Sequence, residues 1–347
     1  MSSLQATVSV DLDNLWAYQR TSANPGWKHL ASYLQIAVPR MLDALDEAGI
    51  TATIFIVGAD AVRPWAHEVL GPITTRGHEV GNHSYGHACW LHRWHAPELH
   101  EELERADGAI RAATGQAPIG FRGPGFVWST PLLTAVADRG YLFDASTLPT
   151  SLAPLMRRRL LQHGQLTIVE KQERQDLFGP RGSNRLPSRP YRWRLPDGRQ
   201  LLEIPVSTVP LLGLPFHQSY ICYIASFSRP LARAYLHAAL LSCRAAGVAP
   251  SMLLHPLDWL GGEEVPELRY FPGMQLSAAM KLDLLKDTLR ILGGQFRFET
   301  MGAQARRLAQ DGGLREQVAP PALVTRWSAP IHMEREPVPF RKTEDAP

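Results

Sequence analysis

The chain has 347 residues, 45% of them hydrophobic and 20% charged, which fits a soluble globular protein with one large α/β domain or two small ones. A net charge of +3 is too small to indicate nucleic-acid binding by itself. The three cysteines, Cys89, Cys222 and Cys243, form no CxxC pair, so a disulfide framework is excluded and a reducing compartment is expected.

The N-terminus bears on where the protein works. An apolar strand begins at Thr7 and runs into Asp11, which leaves no room for a cleavable signal peptide of roughly 15–30 residues ahead of it. The sequence contains no run of about 18 uncharged apolar residues, so no membrane-spanning helix is expected. The sequence therefore predicts a cytoplasmic protein, with peripheral contact at the inner membrane face as a further option.

The first half of the chain alternates predicted strands and helices. Strands are expected at Thr7–Asp11 and at the β-branched stretch Thr51–Val57, and helical spacing links Leu34 to Leu45 before Gly49. A second helix is marked by Leu99, Leu103, Ala106 and Ile110 and ends near Gly115. A third is capped by Ser129, carries Pro131 in its first turn and closes at Gly140.

The second half continues the pattern after an interruption. Strands are predicted at Leu201–Val206 and Ser251–His255, and a strongly periodic helix at Leu276–Leu292. Strands that alternate with amphipathic helices indicate a parallel sheet or a barrel, in which functional residues collect at the carboxyl ends of the strands. Asp11, Arg122 and His255 each end an apolar run.

Two regions break this alternation. Residues 150–200 resemble an Arg/Pro-rich insertion with weak periodicity, and residues 157–199 hold eleven basic and four acidic side chains, a local charge of +7. They are either a solvated surface or a contact for anionic groups, such as a substrate phosphate or the inner membrane leaflet. The tail is Pro-rich and predicted to be disordered. We predict one domain over 1–310, with the insertion at about 150–200, and a tail over 311–347.

The strongest local signal is the phrase RGHEVGNHSYGH, which places His83 four residues before His87. On a helical turn this spacing puts both imidazoles on one face, where they can grip one metal ion. A lone pair of this kind is more often structural, so a metal site needs further ligands. Asp11 and Asp13 supply carboxylates two positions apart at the end of a strand, although in isolation a plain turn rich in Asx residues is the better explanation of them.

Taken in order, these elements resemble a known family. Asp11-x-Asp13, the two histidines, the stretch Phe121–Gly125 (FRGPG) and Leu253-Leu254-His255 resemble the polysaccharide deacetylase family, also described as NodB-homology or carbohydrate esterase family 4. The resemblance extends from residue 7 to about 300. It implies an α/β fold of the distorted (β/α) barrel type and one divalent metal ion, zinc first, with cobalt or another divalent ion as alternatives.

The resemblance also implies a role for each matching residue. Asp13, His83 and His87 become the metal ligands, Asp11 the general base and His255 the general acid. Arg122 orients the base, and Gly125 offers a backbone N–H to the oxyanion. Asp144, in a loosely matching motif, is the candidate that orients His255, and Asp258 is a second candidate for that task. The family commonly has adjacent aspartates, whereas Leu12 separates them here, as in an Asp-x-Asp variant branch.

The predicted reaction is metal-dependent hydrolysis of an N-acyl group, N-acetyl first, from an amino sugar in a glycan, nucleotide sugar or lipid-linked precursor. The amino-sugar substrate is the expected partner, no nucleic acid is expected, and residues 157–199 are the candidate contact with an anionic membrane. Two alternatives remain: a deformylase or cyclic-amide hydrolase that uses the same residues, and a non-catalytic glycan-binding module. The sequence leaves the oligomeric state open.

Overall fold

The computed structural model describes residues 4–163 and 166–321. The strands are β1 (Gln5–Asp11), β2 (Thr53–Ile56), β3 (Glu79–Asn82), β4 (Gly120–Phe121), β5 (Phe143–Asp144), β6 (Tyr191–Arg194), β7 (Gln200–Glu203), β8 (Thr208–Val209), β9 (Leu214–Pro215), β10 (Ser251–Leu254), β11 (Arg297–Phe298) and β12 (Glu316–Val318). The helices are α1 (Leu15–Thr21), α2 (Leu34–Glu47), α3 (Gly58–Ala61), α4 (Ala66–Thr75), α5 (Ala96–Thr114), α6 (Thr130–Asp138), α7 (Ala153–His163), α8 (Ile168–Glu173), α9 (Gln218–Ala225), α10 (Arg229–Ala245), α11 (Ala278–Gly293) and α12 (Met301–Ala309).

One mostly parallel sheet organises these elements. Its strand order is β10-β1-β2-β3-β4-β5-β7-β6-β12, with β11 beside the start of β1, and the pairing of β6 with β7 is antiparallel. β8 and β9 form a separate antiparallel pair. The consecutive parallel strands β1 to β4 are joined through helices, as the alternating pattern predicts.

The two sides of the sheet approach each other beyond β7. The backbone N–H of Ile204 donates to Asp144, that of Val206 donates to Thr147, and that of Ser207 donates to the carbonyl of Ser251 in β10 at 3.2 Å. The chain after β7 therefore connects β5 to β10 and nearly closes the sheet into a ring. The predicted distorted (β/α) barrel of the α/β class is confirmed.

The core follows from the apolar periodicity of the helices and strands. Val8, Val10 and Ile54 are fully buried, and each contributes roughly 1.5–3 kcal/mol by leaving water. Gly49 and Gly115 follow α2 and α5 with φ of +64° and +77°, the left-handed conformation that ends a helix without a Cβ penalty. The helix ends predicted from these glycines are confirmed.

The region predicted as an insertion is only partly an addition to the barrel. Residues 191–203 form β6 and β7, which belong to the sheet, whereas α7 and α8 lie outside it. β12 pairs with β6 inside the segment predicted to be a disordered tail, so the tail's start at 311 was placed too early. Residues 322–347 lie outside the described part of the chain, and the domain bounds remain predictions. Among the described helices, none combines the length and apolar character that a membrane span requires.

Candidate active site

Three potential metal ligands meet at the carboxyl ends of β1 and β3. Asp13 Oδ1 lies 3.2 Å from His83 Nε2 and 2.9 Å from His87 Nε2. One potential ligand atom from each residue lies within 4.8 Å of the others, and all three residues are buried. Two imidazoles and one carboxylate are a common donor set for zinc, and they leave positions free for water and substrate.

The loop that carries the histidines is not a helical turn, so that prediction was wrong. Ser84 and His87 both have positive φ, +63° and +50°, which no helix contains. The Asn82 side chain accepts from the N–H of Ser84 at 2.7 Å, and the Ser84 hydroxyl accepts from the N–H of His87 at 2.9 Å. These two hydrogen bonds fold residues 82–87 into a tight turn, which brings the imidazoles together by a different route.

The unsatisfied atoms of this group fit a cation. Asp13 Oδ1 and His87 Nε2 lie 2.9 Å apart without forming a well-aligned hydrogen bond, and His87 Nδ1 is also buried without one among the described residues, which is costly unless an ion occupies the site. His83 Nδ1 lies 2.7 Å from the carbonyl oxygen of Arg122. A carbonyl can only accept, so the proton sits on Nδ1 and the Nε2 lone pair faces Asp13 and His87.

Asp11 occupies a separate position from Asp13. Its Oδ1 accepts from Arg122 Nη1 at 2.6 Å, and its Oδ2 lies 3.8 Å from His255 Nε2. Arg122 is fully buried, and its remaining donors go to Ser9 Oγ and to the carbonyl of Ala145, each at 3.0 Å. The structure thus places one aspartate beside the histidine pair and the other beside the arginine and His255.

Gly125 lies in the cavity wall beside this group, in the loop that follows β4. Its φ is +63°, and a Cβ there would lie 2.5 Å from Leu177 Cδ2, so only glycine fits without displacement. Its carbonyl accepts from the N–H of Phe178 at 2.8 Å, which ties the loop to residues 177–178. The structure therefore places Gly125 at the site, and its N–H as an oxyanion donor remains a prediction.

Asp144 does not contact His255 in the described structure, which corrects its predicted role. Its carboxyl accepts from Ser146 Oγ at 2.7 Å, and Ser146 Oγ accepts in turn from the N–H of Gly123 at 2.8 Å. Burial, and then the neighbouring Glu203 carboxylate, raise the pKa of Asp144 well above its usual range. Asp144 therefore holds the loop after β4, not the imidazole.

Asp258 is the carboxylate connected to His255. Its Oδ2 accepts from the backbone N–H of His255 at 2.8 Å, and its side chain is hydrogen-bonded to Ser219, whose Oγ lies 3.4 Å from His255 Nδ1. Lys281 is also buried and donates to the carbonyls of Leu257 and Leu260, at 2.6 and 2.9 Å. The loop that positions His255 is thus fixed from two directions.

Sequence reasoning missed His217, which lines the same cavity. It is 5% exposed, its Nδ1 has no partner among the described residues, and its ring centroid lies 6.1 Å from that of His255. Burial, and then the nearby charges of His255 and Arg122, lower the pKa of His217 to about 3. A neutral imidazole therefore stands beside His255. The one available signal was a histidine just before the apolar stretch of α9.

Several arginines of residues 157–199 serve the fold and do not face solvent freely. Arg157 donates to the carbonyls of Leu177 and Gly179, and the buried Arg174 donates to that of Thr21 at 2.7 Å. These contacts fasten the segment that contributes Leu177 and Phe178 to the cavity wall. The prediction that the whole basic cluster faces anionic groups is therefore reduced to its exposed members, which include Arg158 and Arg159.

Comparison with known proteins finds a matching family. Residues 31–143 match the sequence model of the family described as Polysaccharide deacetylase. The matched range includes His83, His87, Arg122 and Gly125. Asp11, Asp13 and His255 fall outside this range, and the fold brings them to the site.

Individual relatives point the same way. The chain is 33% identical over 111 residues to the chitooligosaccharide deacetylase of Sinorhizobium fredii, a match over 30% of this chain and 48% of that protein, so it spans about half the length of this curated relative. A putative polysaccharide deacetylase from Mycobacterium smegmatis superposes with a TM-score of 0.59 at 18% identity, over 93% of this chain and 96% of that one.

A solved allantoinase gives a TM-score of 0.50 at 16% identity, over 89% of this chain and 91% of the other. At these identities the solved structures establish the fold alone. The family match over residues 31–143 and the curated relative show that the part of the chain around this site is similar to polysaccharide deacetylases.

Proposed function

We propose that the protein hydrolyses the N-acyl group, N-acetyl first, of an amino sugar in a glycan, nucleotide sugar or lipid-linked precursor. The observation that carries this proposal is the placement of a base candidate and an acid candidate beside the Asp13–His83–His87 group. Asp11 Oδ2 and His255 Nε2 lie 3.8 Å apart, which leaves both within reach of one reacting centre.

Asp13, His83 and His87 would hold one divalent ion, zinc first, with cobalt or another divalent ion as alternatives. When bound, such an ion supplies Lewis-acid chemistry: it acidifies a water molecule and polarises the amide carbonyl. The potential ligand atoms of Asp13 and His87 are buried without a well-aligned hydrogen bond among the described residues, which supports this assignment.

Asp11 acts as the general base that removes the proton of the attacking water. Arg122 holds Asp11 Oδ1 at 2.6 Å, so Oδ2 is the oxygen left to accept the proton. The backbone N–H of Gly125 donates to the oxygen that becomes negatively charged as the carbonyl carbon is attacked. A donor fixed in this way needs no reorganisation during the reaction, which is the usual source of a large rate effect.

His255 acts as the general acid for the departing amine, because an amine leaves poorly unless it is protonated. The Ser219 hydroxyl and the Asp258 carboxylate lie on the Nδ1 side of the ring, so Nε2 points toward Asp11 and the reacting centre. Asp258 and Ser219 are positioning residues in this scheme. Cytoplasmic location, with peripheral contact at the inner membrane face as a further option, is part of the same proposal.

The test is acetate and free-amine release from a panel of N-acetylated sugars, nucleotide sugars and polyprenyl-phosphate sugars. Formylated sugars and allantoin are included, because a deformylase or cyclic-amide hydrolase would use the same residues. Release that stops with a chelator and returns with zinc is the expected result. Absence of release from every compound by metal-loaded protein would overturn the proposal, and absence of bound metal would favour the non-catalytic alternative.

Two variants with a matched control sharpen this test. Asp11→Asn is expected to retain the metal and lose turnover by at least a hundredfold, which is the low end for a general base. His83→Ala is expected to lose both. His95→Ala removes an exposed histidine outside the site and should change neither. Retained turnover in Asp11→Asn would remove the base assignment.

A further inference from the structure

The cavity above the metal group changes character from its floor to its rim. It encloses about 400 Å³, and its floor holds the buried polar side chains of the site. Its walls are mostly aliphatic and aromatic. They include Leu155, Met156, Leu160, Tyr223, Tyr270 and Phe271. A sugar hydroxyl placed against such a wall would lose its hydrogen bonds to water at a cost of about 1–3 kcal/mol, whereas a hydrocarbon would gain by leaving water.

The rim of this cavity exposes large apolar side chains. Leu155, Leu211, Leu212 and Phe227 are 64%, 105%, 61% and 74% exposed. Leu155 lines the cavity, and the others adjoin its lining: the hydroxyl of Ser151, next to the lining residue Leu152, donates to the carbonyl of Leu212, and Phe227 packs edge-on against the lining residue Tyr223 with ring centroids 5.2 Å apart. We call Leu155, Leu211, Leu212 and Phe227 the apolar rim. Clustered exposed apolar residues mark an interaction surface, not an ordinary solvated one.

Two further observations indicate what this rim contacts. Leu211 has φ of +69°, so the turn holds a fully exposed leucine in a conformation that usually favours glycine or asparagine. Arg158 and Arg159 are exposed on α7, three and four residues after Leu155, and therefore lie on the same side of that helix. Apolar side chains interleaved with cationic ones are the combination that binds an anionic lipid surface.

We propose that the apolar rim docks on an anionic lipid surface and that the substrate is an amphiphile. Its amide lies at the metal group, and its hydrocarbon chain runs along the apolar wall from the cavity toward the lipid. The choice of reaction rests on the proposed function, whereas the docking surface does not. The two parts are therefore tested by separate experiments.

The docking surface is tested by co-sedimentation of the full chain with vesicles of phosphatidylcholine and phosphatidylglycerol at 4:1, and of phosphatidylcholine alone. We expect binding to the anionic vesicles and at least a tenfold loss in the variant that combines Leu211→Asp with Leu212→Asp. Leu241→Asp is the matched control, because Leu241 is 65% exposed on α10, away from the cavity lining. It should bind within twofold of the wild type. Absence of wild-type binding, or equal loss in the control, would overturn the docking surface.

The substrate class is tested with methyl and octyl glycosides of N-acetylglucosamine, the latter below its critical micelle concentration. Each methylene that leaves water is worth about fourfold in binding, so kcat/KM for the octyl compound should exceed that for the methyl compound at least tenfold. Metal-dependent release with equal kcat/KM for both compounds would overturn the amphiphile proposal alone. Failure to cleave any amide in the substrate panel, with vesicle binding intact, would overturn the proposed function and leave the docking surface supported.

Discussion

Loss of the Arg122 guanidinium tests how the centre of the site is held together. This group donates to Asp11 Oδ1 at 2.6 Å, and the side chains of the two residues are 0% and 4% exposed. In Arg122→Met the Asp11 carboxylate would remain buried without its cation. Breaking a buried pair from one side costs about 3–5 kcal/mol, a large share of the 5–15 kcal/mol by which a typical domain is stable. We expect the free energy of unfolding to fall by about that amount.

The assay is urea denaturation of the wild type, Arg122→Met, Asp11→Asn and the double variant, with unfolding monitored by far-ultraviolet circular dichroism. In the double variant the carboxylate is gone, so loss of the arginine should cost about 1–3 kcal/mol less than it does in the wild type. If Arg122→Met does not fold, Arg122→Lys replaces it, because lysine keeps the charge and loses only the planar fork. The free energy of unfolding of Arg122→Lys should lie between those of the wild type and Arg122→Met. A loss below about 1 kcal/mol, or strictly additive single changes, would refute the reasoning from this pair.

Three other predictions concern the metal, the loop after β4 and acid stability. His83→Ala should abolish the rise in melting temperature that zinc gives the wild type, because zinc at a hundredfold excess over its Kd adds about 2.7 kcal/mol to the free energy of unfolding. Scanning fluorimetry with and without zinc measures this rise, and an unchanged rise in the variant would exclude His83 as a metal ligand. Gly125→Ala should lower kcat and should lower the free energy of unfolding by about 1–3 kcal/mol, because the new Cβ meets Leu177. Adding Leu177→Ala should recover part of both losses. Full activity in Gly125→Ala would contradict the prediction. His217→Gln should lose less stability than the wild type as the pH falls. In the wild type the pKa of His217 is lowered to about 3 in the folded state, against roughly 6.5 in the unfolded state. Below pH 6.5 only the unfolded chain takes up this proton, so the wild type loses about 2 kcal/mol of its free energy of unfolding by pH 5. Urea midpoints from pH 7 to 5 measure the two slopes, which must differ.

The elements that the sequence predicted best are those set by local patterns. The helix α5 ends at Gly115, and α6 begins where the Ser129 side chain accepts from the N–H of Leu132, both as expected. A strand or helix of this kind is fixed by its own apolar period and its capping residues. The alternation of these elements indicated a parallel sheet or a barrel, because parallel strands must be joined through helices, and the family resemblance implied the barrel.

The failures occurred where long-range contacts override local spacing. The interval of four between His83 and His87 is the same in a helix and in the turn that forms, and the turn depends on the Asn82 side chain, which is itself held by Leu103, Asp107 and Tyr141. Asp144 ends a strand like the other site residues, yet its side chain pairs with Ser146. Neither outcome is encoded in the separation of residues along the chain.

Arg122 shows why the sequence motifs indicated the site although they did not predict its contacts. Its side chain holds Asp11, while its backbone carbonyl fixes the tautomer of His83, so one residue positions both the proposed base and a proposed metal ligand. The first contact depends on the guanidinium, and the second depends only on the path of the chain after β4. That path is held by Ser146, which accepts from the N–H of Gly123 and donates to Asp144. Asp144 therefore acts through Ser146 on the chain after β4 and not on His255: it supports the segment from which the proposed base and the proposed metal ligand are both aligned.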